Sequence, residues 1–199
     1  IILIPISLFF IIKGSVFFIF FLSILFLATS YEWIKMSKKN NLTKFLGIIF
    51  LFFSFYTSFK LRVGNDFKDF LFVLTICIFT DIGGYVFGRV FKGPKLTKIS
   101  PKKTYAGVIG GFLLSLIAGL VFNNYLLISQ KIFNEDLILF ILILSISLIS
   151  QLGDLIISYF KRQANIKDTG KILPGHGGVL DRIDGMIFVF PICYLTTII

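Results

Sequence analysis

The chain has 199 residues, of which 56% are hydrophobic and only 15% charged, and its formal net charge is +10. Soluble domains hold roughly 45 to 50% apolar residues, so this composition excludes an ordinary soluble globule. The apolar residues form long runs near the roughly 20 residues that cross a bilayer. We therefore expect an all-α, polytopic integral membrane helical bundle that forms a single domain over residues 1–199.

The hydrophobic runs predict about seven transmembrane spans. In chain order they cover residues 1–12, 15–34, 45–60, 69–88, 101–128, 137–158 and 183–199. The chain begins with Ile1 instead of Met, so we expect that the native N-terminus is missing. Tyr31 and Trp33 close the second run, which is typical of aromatic side chains at a membrane interface. Glu32, between them, is interpreted as interfacial too.

Basic residues are concentrated in alternate connections. Loops 35–44, 89–103 and 159–182 hold most of the 20 Lys and Arg residues. If the seven spans are right, all three loops lie on one side of the membrane. The excess of Lys and Arg predicts that this side is cytoplasmic. The topology accounts for the positive charge, so we expect no nucleic-acid partner.

Two carboxylates interrupt apolar runs. Asp81 lies in the fourth predicted span and Asp154 in the sixth, and at 1.5 Å per residue both would lie roughly 8 to 12 Å below the cytoplasmic surface. A carboxylate at the bilayer centre costs about 2.5 to 3.5 kcal/mol, so such residues normally face a polar cavity. A structural ion pair with a nearby Lys or Arg is the alternative.

Asp181 and Asp184 are three residues apart at the start of the last predicted span, so they share a helix face. They would complement the helix dipole there, which is the simpler interpretation. Carboxylate oxygens from Asp154 and Asp181, with Asp184 or Asp81 as a further contributor, would also suit Mg²⁺.

Two cytoplasmic segments are suited to phosphate. Residues 173–179 place three glycines around His176, and glycines let backbone N–H groups turn toward an anion, although a plain turn uses the same residues. Ser100 and Pro101 read as the N-cap and first position of a helix, where Lys102 and Lys103 would add an anion site. A basic loop attracted to anionic lipid is the alternative.

A further face of the fourth span is rich in small residues. Asp81, Gly84, Tyr85 and Gly88 lie at helical spacing, which permits close helix packing or substrate access. The residues by themselves thus indicate chemistry on a phosphorylated substrate with an apolar tail, at the cytoplasmic face of a membrane bundle.

Residues 158–184 resemble the C-terminal signature of the phosphatidate cytidylyltransferase (CDP-diacylglycerol synthase) family. The matching stretches are Ser158 to Arg162, Lys167 to Gly170, Leu173 to Gly178 and Asp181 to Asp184. The resemblance continues upstream through Leu152 to Asp154, through Ser100 to Thr104 with Gly107, Gly110 and Gly111, and through Asp81 with Tyr85, Gly88 and Arg89. The chain differs at Ala106, where many members have Glu.

The resemblance implies condensation of CTP with phosphatidic acid to CDP-diacylglycerol and pyrophosphate, with Mg²⁺ as cofactor and room for a second cation. It implies that Asp154 and Asp181 are the metal ligands. The expected catalytic carboxylates are Asp81, Asp154, Asp168, Asp181 and Asp184. The expected substrate-binding and phosphate-binding residues are Ser100, Lys102, Lys103, Thr104, Lys161, Arg162, Lys167, His176, Gly177, Gly178 and Arg182.

The expected partners are CTP, phosphatidic acid and the lipid bilayer, and a homodimer is left open. We expect the protein in the cytoplasmic (inner) membrane of a bacterium, with its active site facing the cytoplasm. Two alternatives remain: a CTP-dependent kinase of a lipid alcohol, and a non-enzymatic cation channel or transporter.

Overall fold

A computed structural model describes residues 9–37, 40–64, 67–97, 99–126, 136–173, 175 and 177–198. Its elements are α1 (Ser15–Met36), α2 (Asn41–Gly64), α3 (Phe67–Val90), α4 (Tyr105–Val121), a π-helical turn (Phe122–Leu126), α5 (Asp136–Gln163), the short α6 (Leu180–Ile183) and α7 (Met186–Ile198). Residues 9–13 are helical as well. Within these ranges the only β-type pairings are isolated bridges.

The predicted all-α membrane bundle is confirmed. Five described helices, α1 to α5, are long and apolar enough to cross a membrane, and α7 is a shorter apolar helix. They coincide with six of the predicted spans to within a few residues, apart from the start of α4. The first predicted span, 1–12, falls largely outside the described residues. About seven spans is therefore consistent with the structure.

The bundle has apolar side chains both inside and outside. Ile76, Ile143 and Val189 are fully buried in one core cluster. Leu180 is fully buried in a second cluster, which also contains Trp33. By contrast, Val16 on α1 is 76% exposed. Exposed apolar side chains on membrane helices match a hydrocarbon solvent, which offers no hydrogen bonds.

Glycines bring α3 and α4 into backbone contact. A Cβ atom on Gly83 would overlap the carbonyl group of Gly110, and one on Gly107 would lie 2.7 Å from the carbonyl oxygen of Gly84. The glycine face of α3 therefore serves close helix packing, one of the two uses that the sequence left open.

Helix α4 begins later than the sequence predicted. Thr104, not Ser100, is the N-cap, because its Oγ1 accepts a hydrogen bond from the Gly107 amide at 3.1 Å. Ser100 instead opens a turn that the Lys103 amide closes by donating to the Ser100 carbonyl at 3.0 Å. Pro101 occupies the second position of this turn, where its fixed φ is equally favourable, so the helix-start interpretation was wrong.

Glu32 and Trp33, which the sequence suggested as interfacial, lie inside the bundle near the C-terminal end of α1. Trp33 is 5% exposed, donates from Nε1 to the Thr43 carbonyl at 3.1 Å and packs against the ring of Phe160. Glu32 is 1% exposed, whereas Tyr31, on the same helix face as the exposed Leu27 and Ile34, is 60% exposed. Helix α1 thus turns these two side chains inward, a rotation that hydrophobicity alone does not encode.

Candidate active site

A cavity of about 680 Å³ lies among α3, α4, α5 and the segments that precede α4 and α7. It brings together every carboxylate that the sequence predicted to be catalytic. These are Asp81, Asp154, Asp168, Asp181 and Asp184. Residues more than one hundred positions apart in the chain therefore share one polar space.

The same cavity is lined by most of the predicted phosphate-binding residues. They are Ser100, Lys102, Lys103, Thr104, Lys161, Arg162, Lys167 and Arg182. Gly177 and Gly178 are not part of the lining and lie directly behind Asp181. His176 lies outside the described residues. The site thus combines carboxylates with a larger number of cationic groups.

Asp154 is held on α5 by a lysine from the turn before α4. Its Oδ2 lies 2.6 Å from Lys103 Nζ, and its Oδ1 accepts a hydrogen bond from Ser158 Oγ at 3.2 Å. Asp81 and Asp184 lie within electrostatic range of the same carboxylate. The ion pair partly offsets the cost of a carboxylate inside a span, as the structural alternative supposed.

Asp181 is fixed more tightly. Its Oδ1 accepts from Lys161 Nζ at 2.8 Å, and its Oδ2 accepts from the amides of Thr169 at 2.8 Å and Gly178 at 3.0 Å. Burial raises the pKa of Asp181, but these three donors outweigh burial, and the pKa lies below its ordinary value. Asp181 is therefore ionised at neutral pH, and the buried Lys161 is its counter-ion.

The glycine-rich segment is directed toward carboxylates of the protein itself. Gly177 has a φ of +87°, which favours glycine, and its carbonyl accepts from the Leu173 amide at 3.0 Å. The next amide, of Gly178, donates to Asp181. The two after that, of Val179 and Leu180, donate to Glu32 at 2.9 and 2.8 Å. Binding of phosphate by Gly177 and Gly178 stays a prediction.

Sequence reasoning missed Glu32 as a residue of this region. The same criterion that selected Asp81, a carboxylate within an apolar run, would have found it. Its aromatic neighbours suggested the membrane interface instead.

Arg162 lines the cavity but also ties two connections together. Its Nε donates to the Ile99 carbonyl at 3.2 Å and its Nη1 to the Ile166 carbonyl at 3.0 Å. Two of its N–H groups therefore hold the loops. Lys102 and Lys167 also line the cavity, and their side chains are exposed.

The donor set fits a hard cation that shares its coordination with a substrate. Among the described side chains, no group of three or more His, Cys, Asp or Glu forms a ready metal cage. Mg²⁺ commonly binds through one or two carboxylates and completes its octahedron with water and phosphate oxygens. Asp154 and Asp181 both line the cavity and each is paired with a lysine here, so their role as metal ligands stays a prediction.

Comparison with known proteins gives consistent matches. The model of the cytidylyltransferase family matches residues 49–199. A phosphatidate cytidylyltransferase from Rickettsia bellii is 40% identical over 168 residues, which is 82% of this chain and 72% of that protein. The enzyme of the same name from Rickettsia conorii is 40% identical over 172 residues, or 84% of this chain and 74% of the relative. A third, from Staphylococcus epidermidis, is 40% identical over 149 residues, which cover 74% of this chain and 54% of that protein.

Proposed function

This chain belongs to the cytidylyltransferase family, and from that premise we propose that it condenses CTP with phosphatidic acid to give CDP-diacylglycerol and pyrophosphate. The observation that carries the proposal is the 680 Å³ cavity at the loop end of the bundle. There, five carboxylates and several lysines and arginines converge at the boundary between apolar helices and polar connections. The relatives that match most of the chain carry the same activity in their names.

The reaction asks little of side chains as nucleophiles. A phosphate oxygen of phosphatidic acid attacks the α-phosphorus of CTP, a new P–O bond forms, and the bond to the β-phosphate breaks as pyrophosphate leaves. The protein must orient the two phosphates and stabilise their charge. Lys102 and Lys167 are suited to this task because their exposed side chains border the cavity.

Three other cations have defined positions before substrate binds. Lys103 and Lys161 neutralise Asp154 and Asp181, and Arg162 holds the loops. We propose that these groups keep the carboxylates oriented and face the phosphates from the same wall of the cavity. The apolar tails of the lipid would remain among the exposed hydrophobic side chains of the helices.

Mg²⁺ is proposed as the cofactor, with Asp154 and Asp181 as its protein ligands and Asp81, Asp168 and Asp184 as supporting charges. When bound, such an ion neutralises phosphate charge and makes the phosphorus more electrophilic. We further propose that the three basic loops face the cytoplasm of a bacterium, across its inner membrane, because positive loops are retained there. A homodimer remains a proposal of the sequence alone.

The decisive experiment follows the label of CTP in purified protein with phosphatidic acid and Mg²⁺. Label in the α-phosphate should enter the lipid fraction, and label in the γ-phosphate should appear in pyrophosphate. Appearance of the γ-label in lipid, or rapid turnover with a lipid alcohol, would contradict the proposal and favour a CTP-dependent kinase. Cation flux without any labelled lipid would favour a channel.

A further inference from the structure

A buried glutamate connects the first long helix to the segment that carries Asp181. Glu32 on α1 is 1% exposed, and neither of the two ion pairs between described side chains includes it. Its Oε2 accepts from Thr169 Oγ1 and from the Leu180 amide, both at 2.8 Å, and its Oε1 accepts from the Val179 amide at 2.9 Å. A buried carboxylate is tolerated when hydrogen bonds of this kind replace its hydration.

The two glycines beside Glu32 leave no room for side chains. A Cβ atom on Gly170 would lie 2.5 Å from Glu32 Oε1, and one on Gly178 would lie 2.5 Å from Glu32 Oε2 and overlap Thr169 Oγ1. Contact with Glu32 therefore explains these two glycines without a bound anion. The segment therefore packs closely against the Glu32 carboxylate at both glycines.

The donors to Glu32 and the donors to Asp181 lie next to each other in the chain. Thr169 donates its hydroxyl to Glu32 and its amide to Asp181. Gly178 donates its amide to Asp181, and the next two amides donate to Glu32. A shift of the segment away from Glu32 would consequently move both backbone donors that orient Asp181 Oδ2.

We propose that Glu32 is a positioning residue of the active site: from α1 it anchors Thr169, Val179 and Leu180 and so fixes the orientation of Asp181 in the cavity. Helix α1 precedes residues 49–199, to which the family model is matched, so the site depends on a helix outside that region. The activity part of this inference rests on the proposed cytidylyltransferase function.

The test compares E32Q with E135Q in the 199-residue chain in detergent or lipid nanodiscs. Glutamine keeps the shape of the side chain, but its amide nitrogen would face an N–H or O–H donor. We expect kcat and the apparent affinity for Mg²⁺ to fall by about 10- to 100-fold in E32Q, as for other residues that orient a metal ligand, with smaller changes in KM for CTP. E135Q alters the chain's other glutamate, in a predicted outer loop, and should match the wild type.

Hydrogen exchange provides a readout that is independent of activity. The amides of residues 178–180 should exchange at least tenfold faster in E32Q, while those in the middle of α5 keep their protection. If the wild type makes no CDP-diacylglycerol but E32Q still shows this local opening, the proposed function fails and the anchoring role stands. Unchanged exchange at 178–180 together with unchanged Mg²⁺ dependence would overturn the positioning role.

Variants at Thr169 keep the inference testable if E32Q does not fold. T169V deletes one of the three donors to Glu32 and should shift exchange and Mg²⁺ dependence in the same direction, whereas T169S retains the hydroxyl and should restore both. In the double variant E32Q/T169V, the two losses should be clearly less than additive, because each removes the same contact. Equal behaviour of T169V and T169S, or full additivity, would contradict the mechanism.

Discussion

Asp154 and Asp181 occupy the same cavity but differ in how firmly each is held. The pair of Asp154 with Lys103 leaves the two side chains 29% and 25% exposed, whereas Asp181 and Lys161 are each 10% exposed. Screening by water weakens an exposed pair, while a buried pair must be kept intact. Substitutions at the two aspartates should therefore have different consequences for stability.

We expect Asp154→Asn to abolish turnover and leave the fold largely intact, because the amide keeps the size of the side chain but removes the charge proposed to hold Mg²⁺. The measurement is the rate of CDP-diacylglycerol formation across a Mg²⁺ series, with size-exclusion chromatography as the folding check. Asp66→Asn, in a predicted outer loop, serves as the control. Near-normal turnover of Asp154→Asn would remove this residue from the metal site.

Asp181→Asn should be inactive and also less stable. It leaves Lys161 as a buried cation without its counter-ion, a change that costs about 3 to 5 kcal/mol when the pair is fully buried. The thermal midpoint in detergent should therefore fall clearly below that of Asp154→Asn. Equal midpoints for the two variants would contradict the expectation that the more buried Lys161 pair matters more for stability than the Lys103 pair.

At the level of single residues, the sequence predicted the carboxylates of the site but not their partners. Asp81 and Asp154 stood out because a charge within an apolar run needs a polar cavity. Glu32 met the same condition, yet the pairing of its carboxylate with backbone amides of residues 179 and 180 depends on tertiary contacts. Such contacts leave no periodic pattern in the sequence.

The contact of α3 with α4 determines which side chains line the cavity on that side. Because Gly83 lies against the backbone of Gly110, the two helices approach closely along their glycine faces. This approach places Asp81 of α3 in the same cavity as Lys103 and Thr104, which precede α4.

Gly83→Ala should lower the free energy of unfolding by about 1 to 3 kcal/mol, since the added methyl group overlaps backbone atoms that cannot rotate away. Gly84→Ala is the matched control on the same helix, because its nearest neighbour would be the Gly107 carbonyl oxygen at 3.8 Å. Thermal unfolding of both variants in the same detergent gives the comparison. Equal midpoints would mean that the helices can separate without cost.

Helix positions were predictable from hydrophobicity because the bilayer imposes a minimum apolar length. The start of α4 was not, since Ser100-Pro101 is compatible with a helix cap and with a turn. In the structure Ser100 forms the turn, and Thr104, four residues after Ser100, caps the helix with its hydroxyl.

For the molecule as a whole, the distribution of charge predicts orientation. Lys35, Lys95 and Lys171 are exposed and lie in or beside the three basic connections. Gly64 is the last residue of α2, at the end of the helix away from the basic connection 35–44. An added Cβ atom there would have nothing within 4 Å. These four positions suit single-cysteine labelling.

In a background without Cys77 and Cys193, cysteines at Lys35, Lys95 and Lys171 should react with an impermeant maleimide only after the cells are permeabilised. Gly64→Cys should react in intact cells and acts as the positive control. Labelling of the three basic positions in intact cells would reverse the orientation and place the cavity on the outer side.

The bonds of Glu32 join parts of the chain that are synthesised far apart in time. Its partners lie 137 to 148 residues further along. At roughly 5 to 20 residues per second, the ribosome needs about 7 to 30 s to reach them. During that interval α1 can pack against α2, but its carboxylate lacks the hydrogen bonds from residues 169, 179 and 180. The surroundings of this carboxylate are thus completed only when the segment with Thr169, Val179 and Leu180 has been translated.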